Sequence, residues 1–235
     1  FRRVEYNYEY TEFRTLNFSE IDAIYRRNPS ELTASEFWRY IRGHAGRPAA
    51  EQEKLMREAL HHHPDLLIAA NNLSALLNRE HRADTTLLVP FLTEEAPLEV
   101  KINQVVALLQ TRDFERANQL CQSLPTEEKT RAVRAITDAM NGRYAEAYTY
   151  FGETNSINKA ILLLCLRKNE EAREFLKQCP DHSAEAEYVR AIAANRLNDT
   201  NSAIIHLQKA LSLKPELRKI LEIDGDVLDL MDLIQ

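Results

Sequence analysis

The chain has 235 residues, of which 44% are hydrophobic and only five are glycine, so neither wholesale disorder nor a β-sandwich or barrel is expected. Those β folds need many tight turns, and turns with positive φ depend on glycine. The formal net charge of −6 leaves no basic surplus for neutralising phosphates, which disfavours nucleic acid as a partner. The composition therefore predicts a mostly helical, all-α protein.

Residues 1–18 have a pattern of their own. Val4, Tyr6, Tyr8 and Tyr10 alternate with polar residues, which is typical of a half-buried β-strand. A lone strand is not stable in water. We therefore expect residues 1–18 to be an extended, strand-like segment that remains from an upstream domain.

Helical patterns occupy the rest of the chain. Thr33 and Glu36 form a T-x-x-E capping box that predicts the start of one helix, and Ala49–His63 is predicted as the next helix, ended by Pro64. Five helix pairs are then predicted: 66–79 with 84–94, 98–110 with 114–123, 127–141 with 144–151, 155–167 with 170–178, and 184–197 with 201–213. Residues 216–235 are predicted to form capping helices that cover the last apolar face.

An alanine recurs in phase in the second helix of these pairs, each time just after a short polar break. The alanines are Ala117, Ala147, Ala172 and Ala203. A small residue in this position allows two helices to approach closely. A two-helix module of about 34 residues cannot bury its apolar face alone, so such modules are predicted to stack on one another.

These residues resemble the tetratricopeptide repeat family. That family places a small residue midway along the first helix of each module, alanines early and late in the second helix, and proline at the end. The matching residues are Ala59 and Pro64 in the first module and Ala191, Ala203, Ala210 and Pro215 in the last. The resemblance implies an α-α superhelix of about six helical hairpins over residues 33–215, within a helical repeat domain of residues 19–215.

The same resemblance implies a binding surface, because first-helix side chains of the family line a concave face that binds peptides. The corresponding positions here are Asn71, Asn78, Arg79, Tyr188, Asn195 and Arg196. Asparagine can grip an extended backbone through its donors and acceptor, and arginine can hold a carboxylate with two hydrogen bonds. For Asn71 and Asn78, intramolecular hydrogen bonding or plain exposure is the alternative interpretation.

The sequence offers few candidates for chemistry. It contains no GxSxG, HExxH, P-loop or GxGxxG motif, so no catalytic residue is predicted and the chain is not expected to be an enzyme. His61, His62 and His63 point about 100° apart around a helix, so they are not expected to converge on a metal. No cofactor is predicted, and no run of about 18 apolar residues suggests a transmembrane helix.

The three cysteines, Cys121, Cys165 and Cys179, lack the CxxC spacing of a zinc site and are too few for a disulfide framework. We expect three small apolar residues in buried positions. Because Cys165 and Cys179 fall within one predicted module, a bridge between them stays open.

A narrower resemblance concerns roughly the first 80 residues. The stretches RRVEYNYEYTEF, NPSELTASEFWR and PDLLIAANNLSALL are similar to the ends of OmpA-like or fimbria-associated cell-envelope proteins of Gram-negative anaerobes. In those proteins a helical repeat tail follows an envelope domain. The resemblance implies export and a location in the periplasm or at the outer membrane.

The resulting hypothesis is a non-catalytic protein–protein interaction or scaffold module of a cell-envelope protein. It would bind a protein or peptide partner on the concave helical face. Two alternatives stay open: a rigid spacer without a ligand in the groove, and an accessory region of an upstream domain that binds peptidoglycan or another glycan.

Overall fold

A computed structural model describes residues 15–151 and 154–234, and within these ranges every regular element is a helix. Residues 1–14, which contain the predicted strand, lie outside the described residues. The α-helices are α1 (Phe18–Arg27), α2 (Ala34–Gly43), α3 (Ala49–His62), α4 (Leu67–Arg79), α5 (Leu98–Gln110), α6 (Phe114–Gln122), α7 (Glu128–Met140), α8 (Tyr144–Phe151), α9 (Ile157–Cys165), α10 (Asn169–Gln178), α11 (Ala184–Arg196), α12 (Thr200–Leu213) and α13 (Arg218–Leu221). Short 3-10 turns lie at Pro29–Glu31, Val89–Phe91, Pro215–Leu217 and Leu228–Leu233.

The chain divides into two compact units, an amino-terminal unit (Phe1–Asn103) and a carboxy-terminal unit (Gln104–Gln235). The three segments predicted from sequence, 1–18, 19–215 and 216–235, stay a prediction.

The core of the amino-terminal unit forms around Phe37 of α2, which is fully buried with Ile21 of α1 and Leu73 of α4. The predicted capping box places α2. The Glu36 backbone N–H donates to Thr33 Oγ1 at 3.3 Å, and the Thr33 N–H donates to Glu36 Oε2 at 2.9 Å. Both bonds satisfy N–H groups that have no partner within the first helical turn.

One turn recurs between the helices of four hairpins. Its key residue has φ between 60° and 76°, in the left-handed region, and only one of the four is glycine. The next N–H donates to the carbonyl five residues earlier, at 2.9–3.0 Å, which satisfies an otherwise unpaired carbonyl of the last helical turn. The four left-handed residues are Arg112, Gly142, Arg167 and Asn198.

The predicted alanines are tied to this turn. Each lies five residues after the left-handed residue, as Ala117 follows Arg112, and each is fully buried. The N–H of each alanine donates at 3.0 Å to the carbonyl of the residue just after the left-handed one. The turn therefore sets where the second helix begins and which of its residues is buried against the rest of the unit.

The helix predicted over residues 84–94 is wrong. His81 makes the same left-handed turn, with φ 54°, and the Arg82 N–H donates to the Leu77 carbonyl at 2.9 Å. After this turn the chain does not enter a second helix as it does in the other hairpins. Instead, Asp84 Oδ1 accepts hydrogen bonds from the Thr86 N–H and Oγ1 at 2.9 and 2.7 Å. Such a side-chain turn competes with helical hydrogen bonding.

Pro90 also prevents a second helix in this region. Pro90 has no N–H and would clash with the preceding turn of a helix, so this region forms only the 3-10 turn at Val89–Phe91. Leu88 is nevertheless fully buried and packs with Ala70 and Val100. A buried leucine on a coil thus fills the space that a second helix would occupy in this module.

The carboxy-terminal unit contains α6 to α13 and most of α5, and its last core includes residues from beyond α12. Leu217, Leu221, Val227, Leu230 and Ile234 are buried there together with Leu207 and three alanines of α11 and α12, Ala191, Ala203 and Ala210. The segment after Pro215 therefore covers the apolar surface that the last hairpin would otherwise expose to water.

All three cysteines are free thiols: Cys121 and Cys179 are buried as predicted, whereas Cys165 is exposed, so the prediction of a buried position is wrong for it. No bridge joins Cys165 and Cys179. Burial raises the pKa of the Cys121 thiol, and partial desolvation of its sulfur raises that of Cys165, which keeps both thiols in the neutral, less reactive form. Of the described helices, none combines the length and apolar character needed to cross a lipid bilayer.

A buried carboxylate lies in the carboxy-terminal unit. The Glu187 side chain is 1% exposed and accepts hydrogen bonds from His206 Nδ1 and Lys209 Nζ, both at 2.7 Å, and from Arg190 Nη1 at 3.3 Å. Burial alone would raise its pKa. The hydrogen bonds from Lys209 and His206 and the charge of Arg190 more than offset this and lower the pKa to about 2.

We predict that the buried alanine is required for its size. Replacing Ala147 by leucine should destabilise the protein by about 1–3 kcal/mol, because added methylenes do not fit a packed site. The matched control is Ala145→Leu, at an exposed position two residues earlier on α8, which should change stability by less than about 0.5 kcal/mol. Urea unfolding measures both, and equal effects would contradict this role of the alanine.

Glu187 should make the protein sensitive to acid. Its pKa of about 2 in the fold is below the ordinary 4.5, so the stability it provides is full above about pH 4.5 and is lost as the pH falls towards 2. The difference corresponds to about 3 kcal/mol. Glu187→Gln should remove this part of the pH dependence and destabilise the protein at neutral pH by about 3–5 kcal/mol.

Urea unfolding measured from pH 7 down to pH 3 tests the prediction. Glu170→Gln, which removes an exposed carboxylate from the first turn of α10, is the control and should keep the acid-dependent loss. An unchanged slope in the Glu187→Gln variant would refute the proposed electrostatic role.

Candidate functional site

Two of the predicted site residues in the amino-terminal unit bind their own chain. Asn71 Oδ1 accepts a hydrogen bond from Asn103 Nδ2 at 2.8 Å, and Asn78 Nδ2 donates to the Asn103 carbonyl at 2.9 Å. Asn78 is 7% exposed, so little of its side chain can reach a ligand. Both amides tie α4 to the first turns of α5.

The three predicted residues of the carboxy-terminal unit contact the end of the chain. The Tyr188 hydroxyl donates to Asp224 Oδ2 at 3.0 Å, and Asn195 Nδ2 donates to the Asp226 carbonyl at 2.8 Å. Arg196 forms two parallel bonds with Asp226, from Nε to Oδ1 at 2.8 Å and from Nη2 to Oδ2 at 2.5 Å. The polar face predicted to hold a peptide therefore holds the chain's own C-terminal segment.

Asn78 and Asn195 occupy the same place in their modules, three residues before the left-handed residues His81 and Asn198. Each donates its amide hydrogen to a backbone carbonyl of the segment that follows its module. For Asn78 that segment is α5, and for Asn195 it is the stretch around Asp226. The C-terminal stretch thus makes the same amide contact with the last hairpin that α5 makes with α4.

Arg79 differs from these residues. It is exposed, and its side chain has no hydrogen bond or ion pair with any residue in the described ranges. It lines a groove of about 260 Å³ between α2, α3 and α4. We call this the α2–α4 groove, and its main lining residues are Trp38, Ile41, Arg42, Met56, Leu76 and Arg79.

The α2–α4 groove combines an apolar floor with positive charge. Ile41, Met56 and Leu76 are buried, and Trp38 is half-buried. Arg42 is exposed and, like Arg79, has no side-chain partner in the part of the chain that the structure describes. No acidic residue lines the groove within that same part, so its two guanidinium groups are not neutralised locally.

Trp38 and Arg42 were not predicted as site residues. Trp38 is the one tryptophan of the sequence and lies four residues before Arg42. That spacing places both on one face of a helix, and this was the available signal. The packing of α2, α3 and α4 around one groove, which Trp38 and Arg79 both line, joins residues far apart in the sequence and has no local signature.

Metal binding has no support in the described residues, where no cluster of three His, Cys, Asp or Glu side chains could hold an ion. The histidine run is used otherwise. His63 Nε2 lies 2.8 Å from the Leu32 carbonyl, and His62 packs near the Phe37 ring with the ring centroids 6.0 Å apart.

We predict that Arg196 and Asp226 anchor the C-terminal segment. Because their paired bonds are partly buried, a double-mutant cycle with Arg196→Ala and Asp226→Ala should give a coupling energy of about 1–2 kcal/mol. The control is the exposed pair Lys214–Glu185, whose Nζ and Oε1 atoms are 2.6 Å apart, with an expected coupling below about 0.5 kcal/mol. Urea unfolding measures both cycles, and a coupling no larger than that of the control would contradict the anchor.

No protein-family model matches the chain, and no curated protein is similar to it in sequence. Among solved structures, it is similar to a tetratricopeptide repeat protein from Parabacteroides merdae, with a TM-score of 0.64 and 17% sequence identity. The similarity covers 87% of this chain and 89% of the other. It confirms the prediction of an all-α fold of the α-α superhelix class, built from tetratricopeptide-like helical hairpins.

Proposed function

We propose that this chain is a non-catalytic protein–protein interaction or scaffold module, and that its α2–α4 groove binds an acidic segment of a protein partner. The observation that carries the proposal is the pair Arg42 and Arg79. Both line one groove, and neither has a partner among the described residues. The fold of tetratricopeptide-like hairpins supports a role in protein interaction.

The chemistry of the groove favours a carboxylate-bearing peptide. A guanidinium group matches a carboxylate with two parallel hydrogen bonds, and Trp38 adds a large apolar contact surface. The volume of about 260 Å³ is below the range of about 300–1,000 Å³ that is usual for pockets that enclose small molecules. A few side chains of an extended peptide therefore suit it better than a whole small ligand.

We further propose that the partner belongs to the cell envelope. This part of the proposal is an expectation from the sequence alone, based on the resemblance of residues 2–13, 28–39 and 64–77 to the ends of envelope proteins. Fractionation of cells that express the chain in its native context, followed by immunodetection, tests it. Recovery in the cytoplasmic fraction alone would contradict an envelope location without bearing on the groove.

A ligand-free spacer is the second candidate function. It is favoured by the contacts of Tyr188, Asn195 and Arg196, which use a predicted binding face to hold the chain's own C-terminal segment. A spacer needs no unpaired charge in the α2–α4 groove. The two candidate functions therefore differ in whether Arg42 and Arg79 bind an acidic ligand.

The groove is tested with a short fluorescein-labelled peptide of alternating leucine and glutamate, and with its leucine–lysine counterpart. We expect the acidic peptide to bind and the basic one not to. Because Trp38 is the only tryptophan, its fluorescence should change on binding and report on the groove directly. Arg42→Gln with Arg79→Gln should lower the affinity about tenfold or more, since hydrogen bonds to charged groups are strong.

Lys54→Gln is the control for loss of positive charge in this unit, because it removes one exposed charge from α3 without touching the groove lining; each single variant, Arg42→Gln and Arg79→Gln, is compared with it. It should bind the acidic peptide as the unmodified protein does. Equal binding by the double arginine variant, or no change in Trp38 fluorescence, would reject the groove and favour the spacer.

A further inference from the structure

A surface whose chemistry matches the α2–α4 groove lies on the C-terminal segment. From Glu222 to Gln235 the sequence has five carboxylate side chains and no lysine, arginine or histidine. Exposed apolar side chains are interspersed with these carboxylates, and Ile223 is 82% exposed. We call this surface the C-terminal face, and its residues are Glu222, Ile223, Leu228, Asp229, Asp232 and Leu233.

The negative charge of the C-terminal face is not neutralised within the part of the chain that the structure describes. Glu222 and Asp232 are exposed, and neither side chain has a hydrogen bond or ion pair with a described residue. Asp229 accepts a hydrogen bond at 3.0 Å from the amide of Asn195, which carries no charge. The face therefore presents three carboxylates to a partner.

The apolar part of the face follows from how the segment packs. Leu230 is 1% exposed and lies in the last core, whereas Leu228 and Leu233 are 46% and 54% exposed. A 3-10 helix has three residues per turn, so Asp229 and Asp232 lie one above the other. The last 3-10 turn thus presents a row of two carboxylates, with an exposed leucine at each end of the turn.

We propose that the α2–α4 groove binds the C-terminal face of a second copy of this chain. This inference rests on the proposed function of the groove and names its partner. Charge complementarity carries it. The groove has two guanidinium groups without a described partner and no acidic residue among its described lining, whereas the face has three carboxylates and no basic residue.

The two surfaces also match in their other chemistry. Guanidinium groups bind carboxylates through paired hydrogen bonds, and the exposed isoleucine and leucines of the face suit the apolar floor of the groove. The groove volume of about 260 Å³ accepts a few side chains, which is what a short helical turn presents. The C-terminal face therefore has the acidic and apolar character that the groove requires of its ligand.

The contact is heterologous, because the groove and the face are different surfaces. A copy whose groove is occupied still presents its own C-terminal face and can add a further copy. Small interfaces are typical of weak and transient complexes. We therefore expect reversible association that increases with protein concentration and weakens with added salt, since exposed charges are screened.

Sedimentation equilibrium on the full chain tests the proposal at concentrations from about 1 μM to about 1 mM, which cover the range of weak complexes. The average mass should rise above the 27.1 kDa of one chain and fall when sodium chloride is added. Arg42→Gln with Arg79→Gln, the groove variant, should weaken association about tenfold or more. Glu222→Gln with Asp232→Asn, the face variant, should have the same effect.

A mixture of the two variants tests the direction of the contact. The groove variant keeps its C-terminal face and the face variant keeps its groove, so the mixture should form a one-to-one complex that cannot extend. The control is Glu146→Gln with Glu170→Gln, which removes two exposed carboxylates elsewhere in the same unit. It should associate as the unmodified protein does.

A chain that keeps the mass of one copy at every concentration would overturn the proposal, and so would association that survives either variant. If such a chain still binds the leucine–glutamate peptide through Arg42 and Arg79, the groove function stands and only the identity of its partner is wrong. If neither the peptide nor a second copy binds, both proposals fail.

Discussion

The left-handed residue that ends the first helix of a hairpin is the constraint on which the rest of the architecture depends. It turns the chain, and the alanine five residues later is buried because the turn has already fixed the start of the second helix. Three of the four such residues, Arg112, Arg167 and Asn198, have side chains, and this conformation costs an L-residue about 1–2 kcal/mol. The hydrogen bond from the following N–H and the close packing of the helices offset that cost.

This dependence explains what could be predicted from sequence. The alanines recur in phase because packing requires a small residue after each turn, so the hairpins were predictable without any glycine signal. The helix over 84–94 was predicted only as the partner of 66–79, without such an alanine, and the prediction failed because Asp84, Thr86 and Pro90 interrupt the chain after a normal turn. The groove that contains Trp38 and Arg42 could not be predicted, because it depends on how α2, α3 and α4 pack together and so on contacts between distant residues.

The asparagines show why site residues were harder to predict than helices. Asn78 and Asn195 share a register, and an amide in that place can bind a ligand or the chain equally well. The segment that follows the module decides whether the amide binds the chain itself. The residue that accepts the hydrogen bond lies 25 residues after Asn78 and 31 residues after Asn195. The local sequence contains no information about that accepting residue. The corresponding position in a repeat family therefore predicts where a side chain lies, but not which group it binds.

Arg79 and Arg196 also occupy the same position in their modules but differ in their partners. Both follow such an asparagine and precede the left-handed residue by two positions. Arg196 meets Asp226 in the segment after its module, so its charge is spent on holding that segment in place. Arg79 meets no carboxylate among the described residues. Its guanidinium hydrogen-bond donors are therefore free of side-chain partners there, and an acidic group of a partner could bind them. We therefore propose the interaction surface on the module in which no described residue supplies a carboxylate to this arginine, which is also the module that lacks a regular second helix.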